Sequence, residues 1–350
     1  MSDYYERSLK KQTALRERED FVILAIESSC DETAVSVLFG RDVKSNVISS
    51  QIEIHKRFGG VVPEIASRNH VLAIDNLIDE AVNGAGITLK DVDVIAVTYG
   101  AGLLGALLVG VSYAKALAYA LDVPLMAIDH IKGHVFANFI ENKDLKLPFL
   151  SLLASGGHTE IVEVNGYEDV RILGQTADDA AGEAFDKVAR VLGLPYPGGP
   201  QIEACAKEGS PVIPMPTPFK GEKHLNFSYS GLKTAVINYV HNNEAKGVEI
   251  NRSDVACSFQ KAAVDQLVKN AIEAAKQTGY KSIALAGGVG ANTCLRETLT
   301  REAKKHGVTV YLPSKKLCTD NAAMIGMACY FAVKEGVLPA DLDLDADPNL

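Results

Sequence analysis

Blocks of apolar residues alternate along the chain with blocks of helical periodicity, and this alternation predicts an α/β fold. Apolar, β-branched runs that stop at polar residues predict buried strands over 21–29, 33–40, 93–100, 124–129, 282–288 and 308–313. Apolar positions three and four residues apart predict helices over 64–86, 179–193, 254–279, 292–307 and 320–336. Residues 148–164 are predicted to form a strand, a tight polar turn and a second strand.

The two halves of the sequence begin in the same way, because a strand, a polar turn and a strand occur over 21–40 and again over 148–164. This repeat predicts two related lobes that face one cleft. We therefore expect an N-terminal extension over 1–20, one lobe over 21–145, a second lobe over 146–338 and an acidic tail over 339–350. The extension is rich in charge, lacks the apolar stretch of a signal peptide and is predicted to be a frayed or peripheral helix.

Composition narrows the class of protein. The chain is 47% hydrophobic and 23% charged, and its formal net charge is -9. Proteins that bind nucleic acid alone usually have a basic surplus, so a basic surface for RNA must be local here or come from a partner. The six cysteines include no C-x-x-C pair, which favours a reduced, cytoplasmic protein. The apolar run 102–121 contains Lys115 and follows a strand, so we expect a helix packed on a sheet and no transmembrane segment.

Three turns rich in small polar residues follow predicted strands, at 26–33, 154–160 and 286–292. A single turn of this kind is usually only a turn. Small residues also let several backbone N–H groups approach a phosphate, and ligands of open α/β sheets bind at the carboxyl ends of the strands. The three turns together favour a nucleotide cleft, without the G-x-x-x-x-G-K-[ST] sequence of a P-loop.

His130 and His134 are four residues apart and therefore lie on one face of a predicted helix, close enough to share one ion. A zinc protease would need Glu in the form H-E-x-x-H, and Ile131 stands in that place. The histidines are therefore either a metal clamp or ordinary helix residues. Asp320, at the start of the last predicted helix, is a candidate third ligand that spacing alone does not place beside them.

Two further polar segments have no role that spacing alone assigns. Residues 178–187, DDAAGEAFDK, open a helix with carboxylates that either cap its first turn or bind hydroxyl groups. Residues 226–235, NFSYSGLKTA, indicate an ordered surface loop. The proline-rich stretches 195–200 and 211–220 are predicted loops.

Taken in order, these segments closely resemble the bacterial tRNA N6-adenosine threonylcarbamoyltransferases, TsaD, long labelled O-sialoglycoprotein endopeptidases. The resemblance runs from about Ile23 to Tyr330. Its motifs are IESSCDETAVSV, GGVVPEIASRNH, GALLVGVSYAKALA, HIKGH, ASGGHTE, DDAAGEAFDKVARVLGLPYPGGP, FSYSGLKTA, AGGVGAN and TDNAAMIG. So many motifs in one order make the resemblance highly specific.

The resemblance implies an actin/Hsp70/sugar-kinase-like (ASKHA) fold with a nucleotide cleft between two lobes. It also implies an acyltransferase. The threonylcarbamoyl group of threonylcarbamoyl-AMP would move to N6 of the adenosine at position 37, beside the anticodon, with release of AMP. The tRNAs concerned read codons that begin with A, and the modified base, t6A, serves accurate decoding.

The family's site residues match particular positions of this chain. The resemblance implies a metal site made of His130, His134 and Asp320, with Fe²⁺ as the expected ion and Zn²⁺ as the alternative. It implies substrate contacts from Leu153, Ala154, Ser155, Gly156, Gly157, Asp186, Gly199, Glu203 and Asn292. Glu203 stands where many relatives have Asp. Asp31 and Glu32 are hypothesised to take a proton from the attacking amine or to orient the substrate, with a hairpin cap as the alternative.

The resemblance also implies partners. These are tRNA, a degenerate paralogue (TsaB), a small P-loop ATPase (TsaE) and a synthase (TsaC) that makes threonylcarbamoyl-AMP, all in the cytoplasm and without a membrane. Three other readings are weaker. A metalloprotease would need a Glu in the place of Ile131, between the two histidines. A sugar or acetate kinase would share the fold but would not need an ion site of two histidines and an aspartate. A non-catalytic scaffold would be expected to lack the metal residues that this chain retains.

Overall fold

A computed structural model describes residues 3–219 and 224–350 and confirms the predicted α/β class. Backbone contacts divide the chain into two compact units. Unit 1 comprises Met1–Lys143, Gly166–Glu168 and Thr319–Leu350, and unit 2 comprises Asp144–Asn165 and Asp169–Cys318. Residues 1 and 2 of the predicted extension, and residue 220 of the predicted loop, lie outside the described residues.

The strands and helices follow the predicted alternation. The strands are β1 (Val22–Glu27), β2 (Glu32–Phe39), β3 (Asp42–Ser50), β4 (Val94–Gly100), β5 (Leu125–Asp129), β6 (Phe149–Ala154), β7 (Thr159–Val164), β8 (Val170–Gln175), β9 (Ser282–Ala286) and β10 (Thr309–Tyr311). The helices are α1 (Asp3–Leu15), α2 (Ile52–His55), α3 (Pro63–Gly84), α4 (Leu104–Leu121), α5 (His130–Phe136), α6 (Asn138–Glu141), α7 (Ala181–Val191), α8 (Gly198–Ala206), α9 (Ser230–Ala245), α10 (Arg252–Thr278), α11 (Thr293–Lys305), α12 (Lys315–Cys318) and α13 (Ala322–Glu335). Short 3-10 helices span Lys56–Phe58, Leu89–Asp91 and Gly288–Ala291.

The two sheets have the same strand order and the same strand directions. The order is β3-β2-β1-β4-β5 in unit 1 and β8-β7-β6-β9-β10 in unit 2. In each sheet the first three strands of the chain pair antiparallel, and the last two add in parallel. The strand, turn and strand that occur twice in the sequence therefore begin two sheets of the same topology.

Two strands, β3 and β8, are absent from the sequence prediction. Both lie at sheet edges, and their side chains are mostly exposed or half-buried. An edge strand needs no apolar run because one side of it has no neighbouring strand and its face is only partly covered. Their pairing with β2 and β7, rather than their own hydropathy, makes them strands.

Helix α13 and the tail after it lie in unit 1, whereas the sequence order predicts a second lobe that runs to residue 338. Most residues of α13 are buried, and the helix packs against β1, β2 and α5. The tail residues Leu342, Leu344 and Ala346 pack on the core of the same unit. The last helix of the chain thus buries its apolar surface against the sheet of unit 1.

Helix α1 is a peripheral helix that is attached to unit 1. Its Tyr4 and Leu15 are buried. The Tyr4 hydroxyl donates to the Val123 carbonyl oxygen at 2.8 Å. Gln12 donates to the Val337 carbonyl oxygen at 2.8 Å. These contacts tie both ends of the helix to the unit, so it is not frayed over its described residues.

Helix α4 is the one helix of the described ranges that is long and apolar enough to cross a membrane by length and composition. A third of its span is buried. It packs against β4 and α3, as predicted for the run 102–121. Its remaining apolar surface includes the exposed side chains of Leu104 and Leu108.

Candidate active site

The two histidines of the HIKGH motif begin helix α5 directly after strand β5. Asp129 ends the strand and caps the helix, since its carboxylate accepts from the Ile131 backbone N–H at 2.6 Å. The cap fixes the first turn of α5. His130 and His134 therefore project from one face, and their rings lie 4.7 Å apart between centroids.

Asp320 completes a group with these histidines, all within unit 1. Its Oδ1 atom lies 3.2 Å from His134 Nε2 and 3.6 Å from His130 Nε2. The ligand atoms of the three residues lie within 4.8 Å of one another. Two imidazole nitrogens and one carboxylate oxygen that converge on one point are a donor set suited to Fe²⁺ or Zn²⁺. The group can therefore hold a metal ion.

Close packing of α5 on α13 brings Asp320 to the histidines. Gly133 allows this approach, because a Cβ atom there would lie 2.8 Å from the Ile325 side chain. Asn321 caps α13 by accepting from the Met324 N–H at 3.1 Å. Asp320 is thus fixed directly before Asn321, the N-cap of a helix that is mostly buried.

Glu27, the last residue of β1, holds the other side of the His130 ring. Its Oε2 atom lies 3.2 Å from His130 Nδ1 and accepts from the Thr98 hydroxyl at 2.5 Å. Its Oε1 atom accepts from the Ser29 N–H at 2.6 Å. The carboxylate is fully buried. A carboxylate on the second nitrogen of a ligating histidine orients the ring and raises its basicity.

The charges of this cluster shift one another's protonation. Burial by itself lowers the pKa of His130, but the Glu27 and Asp320 carboxylates outweigh burial and raise it to about 9. Burial raises the pKa of Asp320, and the positive charge of His130 and the hydrogen bond from His134 outweigh it and lower that pKa to about 2. These shifts favour an imidazolium at His130 beside an ionised Asp320, and an ion bound through His130 would displace that proton.

Asp31 is the last residue of the turn between β1 and β2, and Glu32 is the first residue of β2. The Oδ2 atom of Asp31 is buried and has no hydrogen-bond partner in the described part of the chain. Glu32 accepts from the Ser50 hydroxyl at 3.0 Å. Burial, and then the charges of Asp31 and Asp320, raises the pKa of Glu32 to about 9. A cation held by Asp320 would lower this pKa, because it would offset the negative charges nearby.

The second small-residue turn lies in unit 2, at the end of β6. Leu153 and Ala154 are buried in the sheet, so only their backbone can face a ligand, whereas Gly156 and Gly157 are exposed. The Ser155 carbonyl oxygen accepts from the Gly182 N–H of α7 at 3.0 Å. The turn is therefore anchored to the start of α7 and open at its tip.

The remaining predicted substrate residues lie near this turn along a chain of contacts. Asp186, one helical turn after Gly182, accepts from the Gly198 N–H at 2.6 Å. Gly199 and Glu203 lie on one face of α8, and Glu203 accepts from the Thr293 N–H at 3.2 Å. Asn292 caps α11 by accepting from the Leu295 N–H at 3.0 Å.

The segments 178–187 and 226–235 meet in unit 2, which spacing did not predict. Asp178 does not cap its own helix; its Oδ1 atom accepts from the Tyr229 and Ser230 N–H groups at the start of α9. Tyr229 is fully buried and Ser230 opens α9, so 226–235 is not a surface loop. The loop predicted over 195–200 likewise ends early, because α8 begins at Gly198.

Sequence reasoning missed Glu27 as a site residue. The only signal was a carboxylate at the end of an otherwise apolar strand, which is unusual because an isolated buried charge is costly. That signal was available in the motif IESS. The pairing of Glu27 with His130 needs the sheet, because β1 and β5 are both neighbours of β4.

Solved structures with similar folds belong to other proteins. Full-length HypF in a phosphate- and nucleotide-bound form matches 91% of this chain and 47% of its own, with a TM-score of 0.60 and 16% identity. Component A of (R)-2-hydroxyglutaryl-CoA dehydratase from Acidaminococcus fermentans matches 89% of this chain and 99% of its own, with a TM-score of 0.53 and 13% identity. At these identities the likeness concerns the fold alone, which is of the predicted ASKHA class.

Sequence comparison shows much closer relatives. A protein of Clostridium perfringens called tRNA N6-adenosine threonylcarbamoyltransferase is 56% identical over 331 residues, which is 94% of this chain and 97% of the relative. A protein of the same name from Clostridium botulinum is 56% identical over 335 residues, with coverage of 95% and 98%. Residues 42–327 match the family described as "TsaD: tRNA N6-adenosine threonylcarbamoyltransferase". The chain therefore belongs to the tRNA N6-adenosine threonylcarbamoyltransferase family.

Proposed function

We propose that this chain transfers the threonylcarbamoyl group of threonylcarbamoyl-AMP to N6 of adenosine 37 in tRNAs that read codons beginning with A. The observation that carries the proposal is the convergence of His130, His134 and Asp320 in a chain of this family. The transferred carbonyl carbon forms a bond to N6 and loses its bond to the phosphate oxygen. AMP leaves with the electron pair of that bond, and the amine gives up one proton.

We propose Fe²⁺ as the ion of this site, with Zn²⁺ as the alternative. An ion held there would act as a Lewis acid toward an oxygen of the substrate. Asp320 contributes a carboxylate oxygen that lies 3.2 Å from His134 Nε2 and 3.6 Å from His130 Nε2. Glu27 lies 3.2 Å from Nδ1 of His130, which leaves Nε2, on the side of Asp320, as the atom that would hold an ion.

The acyl-adenylate is proposed to bind through Leu153–Gly157, Asp186, Gly199, Glu203 and Asn292. The Gly156–Gly157 turn is exposed and has open space at both Cβ positions, so a phosphate could approach its backbone closely. Carboxylates such as Asp186 and Glu203 suit the hydroxyl groups of a ribose. The backbone donors around the turn can stabilise the charge that develops on AMP as it leaves.

Asp31 and Glu32 are proposed to take the proton from the attacking amine or to orient it. Asp31 is buried, and its Oδ2 atom has no hydrogen-bond partner among the described residues. A carboxylate oxygen of this kind could accept a hydrogen bond from an N–H group of the substrate. Normal single-turnover transfer rates in both Asp31→Asn and Glu32→Gln would rule this role out.

The test of the function is transfer of labelled threonine to unmodified tRNA with ATP, bicarbonate, the synthase and the partner proteins. We would compare the natural chain with His130→Ala and, as a matched control, His241→Ala, whose histidine is exposed on α9. Label with the natural chain and the control, and none with His130→Ala, supports the transferase and its metal site together. Label with all three would make the ion dispensable. No label with any, in a system that works with another TsaD protein, would contradict the proposal.

We further propose that the chain acts in the cytoplasm with a degenerate paralogue, a P-loop ATPase and a separate synthase. The formal net charge of -9 suits a tRNA site that is shared with partners. The isolated chain should bind tRNA weakly. Tight binding by the isolated chain that persists as salt is raised would contradict this arrangement.

A further inference from the structure

His70 of helix α3 lies fully buried beneath the turn that carries Asp31 and Glu32. Its Nε2 atom lies 2.9 Å from the Cys30 carbonyl oxygen. Its Nδ1 atom lies 2.7 Å from the Thr33 hydroxyl oxygen. The two ring nitrogens thus contact the residue before the carboxylate pair and the residue after it.

The partners of His70 fix its protonation and tautomer. A carbonyl oxygen only accepts, so Nε2 must carry the proton that points at Cys30. Burial lowers the pKa of His70, which favours the neutral ring. Nδ1 of a neutral ring then accepts from the Thr33 hydroxyl. One imidazole therefore clamps the turn with a donor on one side and an acceptor on the other.

A second buried layer holds the same turn from the side of α2. The Gln51 N–H donates to the Asp31 carbonyl oxygen at 3.0 Å. The Gln51 side chain lies 3.2 Å from His55 Nε2, and His55 Nδ1 accepts from the Val62 N–H at 3.3 Å. The backbone of the turn is thus fixed on both sides, while the Oδ2 atom of Asp31 has no partner among the described residues.

We propose that His70, through its hydrogen bonds to Cys30 and Thr33, is a positioning residue that sets the direction of the Asp31 and Glu32 carboxylates for the transfer reaction. The inference rests on the proposed function of that pair. His70 itself is buried away from solvent and acts only through the turn. A fixed turn keeps the carboxylates aimed without help from the substrate, and misplacement of a catalytic group by about 1 Å can cost 10²-fold in rate.

The experiment compares single-turnover transfer by the metal-loaded chain with its partners in His70→Phe, His70→Gln, Thr33→Val and Thr33→Ser. Phe removes both ring nitrogens, and Val removes only the hydroxyl. Gln offers one donor and one acceptor, and Ser keeps the hydroxyl. We expect a loss of about 10- to 100-fold in the single-turnover rate of His70→Phe and Thr33→Val, with the half-saturating concentration of threonylcarbamoyl-AMP roughly unchanged. Gln and Ser should restore the rate to within about threefold of the natural chain.

Two further readouts separate positioning from general damage. The metal content of each variant should stay at the natural value, because the ligands are on other elements. Amide hydrogen exchange over residues 28–33 should become faster in His70→Phe and Thr33→Val and stay slow in the conservative variants. If His70→Phe does not fold, Thr33→Val decides the question.

The outcomes are distinguishable from failure of the proposed function. A natural chain that transfers nothing would refute the function, and unchanged exchange at residues 28–33 in His70→Phe would then overturn the clamp as well. An active natural chain with an equally active Thr33→Val would overturn the positioning role alone. A rate loss in Thr33→Ser as large as in Thr33→Val would also overturn it, because the hydroxyl would not be the cause.

Discussion

At the scale of single residues, a buried carboxylate, Glu27, supports the candidate metal group from the side of His130 that is turned away from Asp320. Glu27 has its two oxygens occupied by His130, Ser29 and Thr98, in a fully buried position. Burial would raise the pKa of Glu27, but the positive charge of His130 outweighs it and lowers that pKa. The carboxylate is therefore ionised and polarises His130.

Glu27→Gln should weaken metal binding by about 10- to 100-fold, because an amide carries no charge to polarise the His130 ring. The side chain keeps its size, so the variant should fold. Equilibrium dialysis against Zn²⁺, with the metal measured by atomic emission, gives the affinity. Glu53→Gln is the control, since 82% of the Glu53 side chain is exposed. Equal affinities in the two variants would show that Glu27 only fills space.

At the scale of elements, helices α3 and α4 of unit 1 run side by side. A Cβ atom at Gly105 would lie 2.5 Å from the Ser67 hydroxyl oxygen, and Tyr113 donates to Asp75 at 2.8 Å. The two contacts are separated by the same number of residues, in the same direction, on each helix, so the helices run parallel.

The two helices also carry large apolar side chains that are exposed, namely Val71, Leu72, Leu104 and Leu108. An exposed apolar face of this kind suits a protein partner, and the degenerate paralogue proposed above is the occupant that the next prediction tests.

If the proposed paralogue occupies this face, Leu72→Lys combined with Leu108→Lys should weaken its binding by at least about 100-fold, because the new charges would have to be desolvated in the interface. Isothermal titration with the purified paralogue measures the change. Val212→Lys is the control, because Val212 is an exposed apolar residue of unit 2.

Unchanged binding in the double variant would place the paralogue elsewhere. Sedimentation of the isolated chain distinguishes the other occupant of this face. A natural chain that dimerises, and a double variant that does not, would assign the face to a second copy of the chain.

Elements also differ in how well the sequence predicts them. Four central strands are buried and are therefore predicted by their apolar runs, namely β1, β4, β6 and β9. The edge strands β3 and β8 and the helix α9 were not predicted. Their side chains are divided between core and solvent, so that no strong period stands out, and their partners decide their conformation.

At the scale of the whole molecule, the metal group joins distant parts of the sequence within one unit. His130 and His134 follow β5, whereas Asp320 precedes the last helix. Unfolding of unit 1 separates these ligands, and an ion that binds only the folded unit stabilises it. The C-terminal segment, which returns to the first sheet, should share in that stabilisation.

Metal at 100 times its dissociation constant should stabilise unit 1 by about 2.7 kcal/mol and raise its Tm by roughly 5 to 10 °C. Differential scanning calorimetry with and without Zn²⁺, and with a chelator, measures the shift. His134→Ala should abolish the shift and His241→Ala should keep it. An equal shift in both variants would show that the ion binds elsewhere.

The sequence by itself determined the α/β class, the repeated opening of the two halves and the family, because periodicity and ordered motifs are local properties. It also supplied His130 and His134 as a pair, since a helix places residues i and i+4 on one face. The tertiary structure alone decided that Asp320 lies within 3.2 Å of His134 and that Glu27 supports His130. It also decided that His70 clamps the turn of Asp31 and Glu32. These contacts join residues far apart in the chain, and only the packing of helices on the sheet brings such residues together.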